Sequence, residues 1–345
     1  MPEPMPDVRA LFQTRYAGDD ALWELARLRF AEAGMPAELY AETPDQLERI
    51  LVRLPEHRTL PTVHLDRSLD VLMSVTRERI AQYTDRFAGR LAGVVVHDQV
   101  GMDRRIPDVV AAMRELGRRS AGPHIYLEYA AGMELEDFAK LGEGLADAER
   151  AGVCIDIGHV GIRHSRTALA RGLPPAIEAR ALTPRHPRLA DVVAEVDRAS
   201  RSALPALLEL IQRIGSAGTR VHFHLHDGHP LIPGLADHFG FLTRVPIAVE
   251  YDGRRSLDQL YGPDGLRSIL RTAVDSCGSR LSLTLEVHQC EGRLPLGDAA
   301  GLFRHWPDRT NAERLNYWLS HIAQNQLLVT RALPGSPGET ADGTG

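Results

Sequence analysis

Leu281-Ser-Leu-Thr-Leu-Glu-Val-His-Gln289 alternates without a break. Successive side chains of an extended chain point to opposite sides. Leu281, Leu283, Leu285 and Val287 therefore share one face, and Ser282, Thr284, Glu286 and His288 share the other. The same division recurs upstream. In Val221-His-Phe-His-Leu-His226, Phe223 and Leu225 oppose His222, His224 and His226. Ile125-Tyr-Leu-Glu128 sets Leu127 against Tyr126 and Glu128, and Val153-Cys-Ile-Asp-Ile157 sets Ile155 against Cys154 and Asp156. Thr62-Val-His-Leu65 sets Val63 and Leu65 against His64.

Eight segments read as strands: Val8–Tyr16, Ala37–Ala41, Pro61–Arg67, Gly93–Gln99, Ile125–Gly132, Val153–His159, Val221–Gly228 and Leu281–Gln289. Amphipathic helical stretches lie between them, among them Asp20–Gly34, Thr43–Leu54, Asp108–Leu116 and Ser202–Ile214. Thr43 and Pro44 suit the cap and first position of their helix. Strand and helix in alternation predict parallel βα units. His64, His97, Glu128 and Asp156 recur at roughly thirty-residue intervals, about one βα unit each. The reading is an α/β protein, a single (β/α)8 TIM barrel with long insertions after strands six and seven. In such a barrel the apolar face meets the helices, and the polar face points inward toward the C-terminal strand ends.

The insertions span Val160–Arg220 and His229–Arg280. The arginine-bearing stretch Arg163–Arg188, with Pro174-Pro175, reads as a lid over an anionic substrate or as a solvated surface insertion. Thr310-Asn-Ala-Glu313 fits a capping box, and Leu315, Trp318, Leu319 and Ile322 form one stripe of the helix behind it. Residues 1–7 read as a flexible start, 8–332 as the barrel with its packing helix, and 333–345 as a disordered tail.

The chain has 345 residues, 43% hydrophobic and 25% charged, which suits a sizeable core. No apolar run is long enough to span a membrane, and the N-terminus lacks a basic-then-apolar secretory pattern. Cys154, Cys277 and Cys290 are scattered, which fits a reducing cytosol. A net charge of -6 gives no global attraction to nucleic acid. Lys140 is the only lysine, so lysine chemistry has one candidate. Oligomerisation is left open.

Inward carboxylates packed together would repel one another and resist desolvation. A divalent metal removes that conflict, and histidines complete its coordination. Single members have plainer readings. Cys154 reads as a small core residue, and His222, His226, His229 and His288 as pocket lining or as supports for ligands. Glu38 and Tyr40 on the second strand read as reaching the site, or Glu38 as structural.

These residues resemble a known family. Ile125-Tyr-Leu-Glu-Tyr-Ala-Ala-Gly132 is similar to the E-N-x-x-G strand end of xylose-isomerase-like TIM barrels, with Tyr129 in place of the Asn. Asp156-Ile-Gly-His159 resembles their D-x-x-H. His224-Leu-His-Asp227 resembles their H-x-[NK]-D, with His226 as a departure, and Leu285-Glu286 resembles the closing-strand glutamate. The family includes sugar and sugar-phosphate isomerases and epimerases, and the endonuclease IV group. The resemblance covers about Val8 to Cys290. It implies a central metal held by Glu128, Asp156, His224 and Glu286, with Glu128 and Glu286 moving a proton and His159 meeting the substrate. His64 and His97 resemble ligands of a second metal bridged by Glu128. Asp237 and His238 stand where the endonuclease branch has D-x-H, and with His159 they would serve a third ion. After His64 the chain runs Leu-Asp-Arg-Ser without the aromatic wedge of the DNA-repair enzymes, which argues against nucleic acid.

The first expectation is therefore a sugar or sugar-phosphate isomerase or epimerase working through an enediolate. A multinuclear phosphoester hydrolase is the alternative, and an iron-dependent oxidase the third. Each expects a small polyhydroxylated or anionic substrate and one to three ions of manganese, zinc, cobalt or iron.

Overall fold

The computed structural model describes residues 6, 8–12, 19–54, 56–130, 133–184, 186–231, 249–251, 254–256, 259–287 and 310–334. Its first half alternates without exception: β1 (Val8–Leu11), α1 (Asp20–Glu32), β2 (Ala37–Tyr40), α2 (Pro44–Arg53), β3 (Thr62–His64), α3 (Ser74–Arg86), β4 (Gly93–His97), α4 (Ile106–Arg119), β5 (His124–Glu128), α5 (Leu135–Gly144) and β6 (Ala151–Asp156). There follow α6 (Ile157–Gly172), α7 (Val193–Arg201), α8 (Ala203–Ser216) and β7 (Arg220–Leu225). An antiparallel pair, β8 (Val249–Tyr251) and β9 (Arg254–Ser256), precedes α9 (Gly262–Cys277), β10 (Leu281–Leu285) and α10 (Asn311–Ala332).

Eight strands close into a barrel in the order β1-β10-β7-β6-β5-β4-β3-β2, the expected (β/α)8 fold. Caps sit where the sequence places them. Thr43 accepts from the Gln46 amide ahead of Pro44, and Thr310 and Glu313 form the reciprocal capping box of α10. Among the described residues, no helix is long and apolar enough to cross a membrane.

Register decides which side chains enter the barrel. Tyr40 pairs with His64, His64 with Val95, and Val95 with Tyr126. One step on, His97 pairs with Glu128, Glu128 with Cys154, and Cys154 with His222, while Asp156 pairs with His224. Paired residues share a face, so these positions and their i±2 neighbours point inward. Val95, Tyr126 and Cys154 pack together inside. Gly93 makes room for them, since a Cβ there would stand 2.7 Å from Cε2 of Tyr126.

The chain divides into two compact units. One comprises Met1–Asp156, Leu210–His224 and Ala273–Leu285, and holds the barrel strands through His224 of β7. In it Gly142 of α5 lies against Ile214 of α8, and Thr219 donates to the Gly142 carbonyl at 2.7 Å. The other comprises Ile157–Glu209, Leu225–Thr272 and Glu286–Gly345. It has its own core of Leu169, Ile177, Leu182, Leu189, Val192, Val196, Ala199 and Leu231. The stretch 163–188 contributes to that core rather than lying wholly in solvent. Arg180 and Arg188 pair with Glu178 and Asp191, and Arg166 donates to the Pro230 carbonyl.

Several strands end earlier than the alternation predicts. The reading of Val153–His159 as one strand is corrected: β6 stops at Asp156, and His159 lies in the first turn of α6. Buried Gly158, Gly161, Ile162, Ser165 and Leu169 form a helical stripe there, and that period overrides the two-residue one. Likewise β5 ends at Glu128, β7 at Leu225, β10 at Leu285 and β1 at Leu11. Loop carboxylates turn the chain away at two of these ends. Asp98 accepts from the amides of Ala130 and Met133, and Asp227 accepts from that of Gly228.

Candidate metal centre

Three strand ends bring imidazoles onto a carboxylate at the end of a fourth. Oε2 of Glu128 on β5 lies 2.7 Å from Nε2 of His64 on β3 and 3.4 Å from Nε2 of His97 on β4. Oε1 of Glu128 lies 3.4 Å from Nδ1 of His224 on β7. Glu128, Asp156 and His224 are wholly buried and His64 is 3% exposed. His97 is the partly exposed member.

A second carboxylate stands deeper. Glu38 on β2 is also wholly buried. Its Oε2 accepts from the hydroxyls of Thr62 at 2.6 Å and Thr284 at 3.1 Å, and from Nε2 of His222 at 3.0 Å. Its Oε1 lies 2.8 Å from Nε2 of His224. His224 thus stands between two carboxylates, with one ring nitrogen toward each.

The partners fix the ring protons. A carboxylate only accepts, so a neutral His222 donates from Nε2 to Glu38, and its Nδ1 accepts from the Ser282 hydroxyl at 2.6 Å. In His224, Nε2 lies 2.8 Å from Oε1 of Glu38 and Nδ1 3.4 Å from Oε1 of Glu128, so a proton on Nε2 would face Glu38. In His64 both nitrogens meet acceptors: Nδ1 donates to the Leu65 carbonyl at 3.0 Å and Nε2 to Oε2 of Glu128 at 2.7 Å, so the Nε2 proton is the one a cation would replace. A backbone carbonyl on Nδ1 is a common outer partner of a metal-binding imidazole.

Charge follows the same plan. Burial would raise the Glu38 carboxyl, but His224 and His222 hold it well below the usual carboxylate range. Burial would raise Glu128 too, and His97, His224 and His64 hold it well below. Burial pushes His222 down to about 4 against the pull of Glu38, which keeps the ring neutral. Burial also pushes the Cys154 thiol well above its ordinary value.

These residues fit a divalent cation. Acceptor atoms turned toward one another repel unless positive charge lies between them. Two ligands at about 2.1 Å from one ion stand about 3.0–3.5 Å apart, the spacing of Glu128 with His97 and with His224. His64, Glu128 and His224 each offer a ligand atom within 4.8 Å of the others, and so do Glu128, Asp156 and His224. Imidazoles with carboxylates suit zinc, manganese, cobalt or iron. Cys154, His222 and His224 also converge within 4.8 Å. Both nitrogens of His222 are engaged, however, and the thiol is neutral, so that trio reads as support.

Glu286 follows β10 directly and is 4% exposed, with its amide donating to the Leu225 carbonyl at 3.2 Å. His159 and His226 form a perpendicular ring pair with centroids 5.7 Å apart. Asp227 accepts from the amides of Leu260, Tyr261 and Gly262 as well as Gly228, so it anchors a loop. Asp237, His238 and His288 lie outside the described residues.

Glu38 was left undecided by the sequence, and Asp98 was not singled out. The inward parity of Glu38 with Tyr40 is the signal that points to the first. No protein-family model matches this sequence, and no curated protein does either.

Proposed function

We propose that the protein is a hydrolase of small anionic esters, phosphoesters first among them, working with two divalent cations on either side of Glu128. One observation carries this reading: the two oxygens of Glu128 are divided, Oε2 toward His64 and His97, and Oε1 toward His224. That is the disposition of a bridging carboxylate. His64 and His97 would hold one ion, and His224 and Asp156 the other. The sequence resemblance assigns Glu286 to the second ion and His159 to the substrate. Cations so held supply activated water near neutral pH and a positive clamp for the leaving oxygen. Glu128 contributes fixed negative charge, since its imidazole neighbours keep it ionised.

The isomerase expectation asks Glu128 to take up and return a proton. A general base works best with a pKa near the working pH. Both oxygens of Glu128 face imidazoles, which favours ligand over base. The oxidase reading shares the ligand set and differs in the metal.

Metal analysis of protein as isolated, followed by assay on phosphomonoesters and phosphodiesters, tests the proposal. Two or more zinc or manganese ions per chain and metal-dependent hydrolysis are expected. One ion per chain, with solvent deuterium entering ketoses, would return the isomerase. Iron with oxygen uptake would replace hydrolysis by oxidation.

A further inference from the structure

We infer that Glu38 is a positioning residue: its carboxylate sets the ring of His224 so that Nδ1 is the nitrogen turned toward Glu128 and the cation. The metal half of this inference rests on the reading above, whereas the choice of ring nitrogen does not.

A wholly buried carboxylate is costly to keep ionised unless donors surround it. Glu38 accepts from three, Thr62 on β3, His222 on β7 and Thr284 on β10, and Nε2 of His224 on β7 lies 2.8 Å from its other oxygen. The donors are not equivalent. Thr62, Thr284 and His222 all lie on Oε2, which fixes the plane of the carboxylate. Oε1 is given to Nε2 of His224. His222 is in turn steadied by Ser282. Beside the fixed carboxylate, a proton on Nε2 of His224 is favoured over one on Nδ1, because Nε2 lies 2.8 Å from Oε1 of Glu38 and Nδ1 lies toward Glu128. A merely structural need at this depth would be met as well by apolar side chains. A carboxylate behind an imidazole orients the ring and raises its basicity as a ligand.

The test uses the full-length chain freed of metal, with Co(II) as probe and ¹⁵N-histidine NMR as a readout independent of activity. In wild type, His224 is expected as the Nε2–H tautomer. Glu38→Gln puts an amide where the carboxylate accepts from three donors and faces the ring of His224. The expected results are a shift of His224 toward Nδ1–H and a loss of about 10- to 100-fold in Co(II) affinity, with the circular dichroism spectrum unchanged. Thr284→Val removes one donor to Oε2 and leaves the Oε1 contact, so its Co(II) affinity should stay close to wild type. An Nδ1–H tautomer in wild type would overturn the inference, and that measurement decides even if Glu38→Gln fails to fold. An equal loss of affinity in both variants would overturn it too, because it would mark general loosening. Failure of wild type to bind Co(II), with the Nε2–H tautomer present, would strike the metal reading and leave the ring assignment standing.

Discussion

The imidazole of His226 occupies the space that a side chain on Gly158 would need. Gly158 lies in the first turn of α6, so the close approach of helix and ring depends on the missing Cβ. Gly158→Ala is expected to destabilise the protein by about 1–3 kcal/mol through overpacking. Urea denaturation checks this. A variant as stable as wild type would show that the ring moves aside freely.

Glu128→Gln removes the charge that three imidazoles face. Loss of both ions is expected, with activity on the best phosphoester falling at least about 100-fold. His97→Ala should lose one ion and keep the other, because His224 remains on Oε1. Elemental analysis per chain distinguishes these results. Retention of two ions by Glu128→Gln would remove the bridging role.

Stability should respond to acid through His222. Its folded pKa is about 4 against an ordinary 6.5. Below pH 6.5 the unfolded chain takes up a proton that the folded ring refuses, so this contribution falls as pH drops from 6.5 to 4. The loss is about 3 kcal/mol. Asp227 runs the opposite way. Burial raises it from 3.8 to about 6, so its contribution is present below 3.8 and lost as pH rises through 6. A His222→Gln variant isolates the first effect. With chelator present, its stability deficit should be smaller at pH 4.5 than at pH 7, and a constant deficit would contradict the neutral ring.

Asp227→Ala should free the loop that it anchors. The amides of Tyr261 and Gly262 donate to its Oδ2 at 3.3 and 3.0 Å. Faster hydrogen exchange at both amides is expected, with β4 and β5 unchanged. Equal protection in the variant would show that other contacts hold this segment.

Much of the centre is legible in the sequence because strand parity is local. Glu128, Asp156 and His224 each follow an apolar residue on a short alternating strand, and register then sets them side by side. His159 breaks the pattern, because a helical stripe starting at Ile157 is not distinguishable from a strand end over three residues. Glu38 is only half legible, since its inward parity is local but its role is not. Its partners lie 24 to 246 residues away, and only closure of the barrel reveals them. Asp98 and Asp227 bind backbone amides, which every residue type but proline offers, so no motif marks them.

The fully engaged ring of His222 acts as a depth stop. On the proposed reading, a cation arriving from the C-terminal strand ends would meet His224 before His222, whose two ring nitrogens are both engaged. Hydroxyls and a deep carboxylate, rather than bulk, thus set the level at which the chemistry takes place. Replacing Ser282 by a non-donor would free Nδ1 of His222 and lower that level before it disturbed the barrel wall.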